Sequence, residues 1–148
     1  MEKQNLDLEQ QVWQRVRAGR KEESGNDLRQ LRREAMELAA IYRQLSIQLP
    51  TGQREIATKL HRGENATAAA LAGIGILSGN PEESLKRWQP GKEDPARQLI
   101  RCYHRTRRCM TEYLARSAET EYGLVFDKLA KRAGEHCTLI AEMLGVTG

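Results

Sequence analysis

Three side chains have the types and positions that chemistry requires: Glu34, Glu64 and His136. Each residue turns about 100° on an α-helix, so an apolar stripe recurs every three or four positions, and these three fall on such stripes. Glu34 lies one turn from Leu31 and Leu38. Glu64 is in line with Ala57, Leu60, Ala68 and Leu71, with Thr67 beside it and His61 at the stripe's edge. His136 lies over Leu129 and Val125 and under Ile140 and Met143, with Arg132 one turn earlier. Glu37, by contrast, sits at its stripe's flank, the position of a solvated side chain. A buried carboxylate is costly unless it is paired, hydrogen-bonded or metal-bound. Two carboxylates and one imidazole form a ligand set for a single divalent ion, Fe, Zn or Mn, with water at the open positions. The same residues, joined by Arg132, also suit a buried polar network with no metal at all.

Other reactive side chains point to blander roles. Cys102 and Cys109 share one helical face and fill the core as small apolar groups, and the odd count of three, with Cys137, argues against a disulfide framework. His61 reads as a partly exposed histidine, and His104 lies opposite its helix's apolar stripe. Tyr42, Tyr103, Tyr113 and Tyr122 lie near the stripes, where a hydroxyl bonded to Glu or to backbone is the ordinary outcome. Arg101, Arg105, Arg107 and Arg108 stand close together with no acid among them, a run that a phosphate or an acidic partner can use and that more often is a solvated helix face. No Ser or Cys is placed with a base and an orienting acid, and no Gly-rich phosphate loop follows a strand, so the sequence gives no support to nucleophilic catalysis or to a nucleotide enzyme.

The elements that must position these residues are helices. The chain holds only one Phe among 148 residues and has no alternating run of β-branched residues, so the class is all-α. Leu6, Glu9, Val12, Trp13 and Val16 suggest a short appended helix over 6–18, so that residues 1–25 form an N-terminal helix and linker. Asn26 or Asp27 can cap the next helix, where Leu28, Leu31, Ala35, Leu38, Tyr42, Leu45 and Leu49 repeat until Pro50. A third runs from about Gln53 to Leu77, stopped by Ser78-Gly79-Asn80-Pro81. The segment from Gly79 to Pro95, broken by Pro81, Pro90 and Gly91, is long enough to cross a bundle. Leu99, Cys102, Thr106, Cys109 and Tyr113 mark a fourth helix, and Tyr122 to Met143 a fifth, with a tight junction near Ser117 to Thr120. Residues 26–148 are therefore two antiparallel hairpins joined by one crossover, a four-helix bundle.

At these residues the chain resembles the ferritin-like superfamily, in particular the small rubrerythrin-like bundles. The resemblance covers roughly Asn26 to Gly145 and rests on the hairpin, crossover, hairpin order, on Glu34 to Tyr42, on Glu64-Asn65-Ala66-Thr67-Ala68 and on Tyr122 to His136. Di-iron members supply one Glu from each of two helices and a Glu-x-x-His motif from each of the other two. Here Glu34 matches the first carboxylate and Glu64 opens the first motif, but Thr67 stands where its His would be. The second single carboxylate falls near Thr106, and the second motif reads Ala133-Gly134-Glu135-His136, with Glu135 offset toward solvent. The resemblance thus implies a degenerate di-iron site, too poor in carboxylates to bridge two cations. It leaves two functions open: metal or redox handling at Glu34, Glu64 and His136 with one divalent ion, or a non-catalytic structural or interaction bundle that has lost the metal. The rubredoxin-type Cys-x-x-Cys pairs of complete rubrerythrins do not occur.

Partners and compartment follow from charge and hydropathy. A net charge of +4 is mild for a dedicated nucleic-acid binder, so nucleic acid is not an expected partner. The uncharged stretch Asn65 to Asn80 is too short and too polar to span a membrane, and the first residues carry no secretory block, so the expected compartment is the cytoplasm. Val12, Trp13 and Val16 need cover from the bundle or from a second copy, which makes a homodimer the expected state.

Overall fold

The computed structural model describes residues 28–79, 88–119 and 121–145. Among them are four helices and no strand: α1 (28–48), α2 (Thr51–Leu77), α3 (Pro95–Glu119) and α4 (Gly123–Met143). The expected helix over 6–18, the cap at Asn26 or Asp27 and much of the link after Gly79 lie outside the described residues.

Helix boundaries follow the chain's breakers. Pro50 separates α1 from α2, and its carbonyl accepts from the backbone N–H of Gln53 and Arg54, which starts α2 slightly earlier than the apolar pattern predicts. Arg54 then turns back, and its Nε donates to the Leu49 carbonyl at 2.6 Å, satisfying a helix-end acceptor of α1. Pro95 opens α3 at a position where a missing N–H costs nothing. The buried Gln98 donates to the Gly91 carbonyl at 3.0 Å and holds the preceding loop against this end. Between α3 and α4 the turn requires glycine: a Cβ at Gly123 would stand 2.4 Å from the Ser117 carbonyl oxygen.

The core has two apolar clusters. One joins Leu38, Tyr42 and Leu45 of α1, and Leu49 just after it, to Leu60 of α2, Leu99 and Cys102 of α3, and Ile140 and Met143 of α4. The other joins Leu28 and Leu31 to Leu71, Ile74, Cys109, Tyr113, Phe126 and Leu129. Membership fixes direction. The late part of α1 meets the early parts of α2 and α3 and the late part of α4, so α1 and α4 run one way and α2 and α3 the other. The chain from Leu77 to Pro95 therefore connects opposite ends of the bundle, as its length predicts. No described helix is long and apolar enough to cross a membrane.

Candidate functional site in the bundle interior

Neither apolar cluster includes Glu64, Thr67, Thr106 or His136, all of which are buried. Glu64 and Thr67 come from α2, Thr106 from α3 and His136 from α4, each at the polar interruption of its own stripe. The period of the sequence thus placed Glu64 and His136 in the interior correctly.

Glu64 and His136 meet directly. His136 Nδ1 stands 3.1 Å from Glu64 Oε1, with side chains only 5% and 7% exposed respectively. Opposite an ionised carboxylate, which can only accept, the imidazole donates from Nδ1. The Nε2–Cε1 edge of the ring comes up against α2 where the residue before Glu64 is glycine. A Cβ at Gly63 would come within 2.3 Å of His136 Nε2 and 2.5 Å of Cε1. Arg132 takes no part in the pair; its Nη1 donates to Thr67 Oγ1 at 3.1 Å.

Glu34 goes elsewhere. Arg105 Nε donates to Glu34 Oε2 at 2.8 Å, and Arg105 Nη2 donates to Glu37 Oε1 at 3.1 Å. All three side chains are about four-fifths buried, so Glu37 is not the solvated flank residue that its angle predicts, and Arg105 is not part of a solvated face. Burial by itself would lower the Arg105 pKa; the bonds to Glu34 and Glu37 outweigh it and hold the guanidinium above its ordinary value. The guanidinium neutralises two carboxylates on α1 from a position on α3, which no single-helix pattern displays.

Around these groups burial keeps protons on. Cys102 and Cys109 are each pushed up to about 12 by desolvation, so both are thiols at neutral pH and neither offers a thiolate ligand or nucleophile. All three cysteines are free and buried, as their core-filling role predicts. The Tyr42 hydroxyl is raised well above the usual range, first by burial and then by the neighbouring Cys102 and Glu64. Neither Tyr42 Oη nor Thr106 Oγ1 makes a hydrogen bond of ordinary length within the protein. His61 has a structural bond of 2.8 Å between its Nδ1 and the Ala39 carbonyl, joining α1 to α2. Exposed Glu135 faces solvent as expected.

The three sequence candidates therefore divide into a pair and a separate carboxylate. Among the described residues no three His, Cys, Asp or Glu side chains stand together as a group that could hold a metal ion. As placed, Glu34 with its carboxylate on Arg105 does not fit the third ligand position that one divalent ion would need. What the interior holds is a buried, hydrogen-bonded Glu64–His136 pair with no ionised nucleophile beside it. No family model matches the chain, and no curated protein or solved structure matches it.

Proposed function

We propose that this chain is a ferritin-like bundle of the rubrerythrin type that acts as a non-catalytic structural or interaction module, with arginine serving where a metal would balance charge. The observation that carries this reading is Arg105 bridging Glu34 and Glu37 at 2.8 and 3.1 Å. Carboxylates in a ferritin-like interior need a cation, and a guanidinium supplied by the chain meets that need without an ion and without open coordination positions. The helix order and directions support the same reading, since one crossover joins two antiparallel hairpins.

A second reading rests on the buried Glu64–His136 pair: these two residues would hold one divalent ion as a Lewis acid, with Glu34 recruited by displacement from Arg105. Metal analysis of the purified, unchelated protein separates the two. Metal far below one ion per chain in wild type, unchanged in Glu64→Gln and His136→Ala, supports the arginine-neutralised bundle. Stoichiometric metal lost in both variants overturns it in favour of the ion.

A further inference from the structure

The four helices present very different outer faces. Between Asn65 and Leu77, α2 carries no charged residue. On α3, no acidic residue occurs from Pro95 to Thr111, while Arg97, Arg101, Arg105, Arg107 and Arg108 do. Arg105 turns inward, and the other four are exposed. At about 100° per residue, Arg97, Arg101 and Arg108 fall within about 40° of one another, and they span about 16 Å along the axis at about 1.5 Å per residue. Arg107 borders the same outer face, its guanidinium over the Tyr103 ring at 5.9 Å from the centroid. The net charge of +4 hides this sidedness, because acids elsewhere in the chain offset it.

Acids bracket the row at its two ends, exposed Asp94 three residues before Arg97 and exposed Glu112 one turn after Arg108, and the stretch between them is wholly basic. Glu34 and Glu37, the carboxylates that α1 turns toward α3, are both occupied by Arg105. Glu93 reaches Arg101 at 2.8 Å, but the arginine side chain is 71% exposed, and a solvated pair of this kind holds its partner only weakly.

We propose that the outer face of α3, through Arg97, Arg101, Arg107 and Arg108, binds the phosphate backbone of a nucleic-acid duplex without reading its sequence. The chemistry favours phosphate over an acidic protein surface. Every fixed cation in the row is a guanidinium, whose planar fork matches phosphate oxygens in bidentate fashion. A stable protein interface also needs a buried apolar centre, and the large apolar side chain exposed in this stretch is Ile100 alone. Backbone contact with phosphates needs no such centre. The row covers about five base-pair steps of about 3.4 Å, which allows three or so phosphate contacts.

This inference is independent of the interior: metal content tests one and nucleic-acid binding the other. The experiment is fluorescence anisotropy of a labelled random-sequence DNA duplex titrated with the full chain. For three contacts, raising KCl from about 50 to about 200 mM should weaken binding about 40-fold. The variant R97Q/R101Q/R108Q should lose that binding and most of its salt dependence. The charge-matched variant K59Q/R62Q/K131Q, on exposed positions of α2 and α4, should keep both, with unchanged circular dichroism in each protein. No binding by wild type at about 50 mM KCl, equal loss in the two variants, or tighter binding of poly-glutamate than of duplex would overturn the proposal.

Discussion

The Glu64–His136 pair and the Glu34–Arg105–Glu37 group each tie together helices that are not neighbours in the chain, α2 to α4 and α1 to α3. They differ in depth and in the cation. The deep pair uses an imidazole, a group that can sit neutral and still donate one hydrogen bond, so its burial leaves little unsatisfied. The shallower group uses a guanidinium, which is always charged and carries five N–H donors. Two carboxylates and access to water are needed to satisfy it, and both are available where its side chain is 18% exposed. Depth thus selects the partner: a titratable donor inside, a permanent cation at the rim.

Alkali should act first on the interior, and most strongly. Cys102 and Cys109 have folded values raised from 9.0 to about 12, so the unfolded chain loses those protons at lower pH than the folded one. The stability linked to these thiols is fully present below the unfolded value and is lost as pH rises from about 9 to about 12. Unfolding midpoints in urea should fall across that window, and ultraviolet titration of a native Cys137→Ser variant should show no thiolate from Cys102 or Cys109 at pH 9 to 10. Ionised native thiols in that range would contradict the protected interior.

Removing a partner should separate the two sites next. His136→Ala strands the Glu64 carboxylate in the core and opens a void, a loss of about 3–5 kcal/mol. Arg105→Ala leaves two carboxylates that reach water, and about 1–2 kcal/mol is expected from chemical denaturation. Equal losses would mean that depth does not distinguish the sites. Gly63→Ala, which drives a methyl group into the imidazole, should cost about 1–3 kcal/mol. In a His136→Ala background that penalty should largely vanish, and a double-mutant cycle measures the coupling. A penalty that persists would show that Gly63 serves α2 itself rather than the seat of His136.

The smallest effects are expected outside both sites. Glu93→Gln removes the exposed partner of Arg101 and should change stability by no more than about 0.5 kcal/mol, with that change shrinking further at high salt. A larger loss would place the Arg101–Glu93 contact alongside the rim group rather than on the solvated surface.

Much of this arrangement is legible along the chain. The three- and four-residue spacing from Leu28 to Leu49 defines α1 and its buried face, and Pro50 ends it, because helix period and proline geometry are local properties. The same periodicity identifies Glu64 and His136 as interior groups and the cysteines as core residues. It also gives the helix order, and the length of the link before Pro95 implies the crossover. Periodicity has no information on which residue of another helix lies opposite. Glu34 and Glu64 carry the same signal in sequence, yet one meets Arg105 and the other His136. Arg105 reads as one member of an exposed arginine run until α1 is packed beside it. A glycine inside a helix is locally only a weak point, and Gly63 acquires its role when the imidazole edge from α4 comes up against it. Rotation within a helix is set by its own residues, whereas the register and rotation of one helix against the next are set by packing all four at once. The partners of the buried charges, and with them the chemistry open to the interior, belong to the tertiary structure.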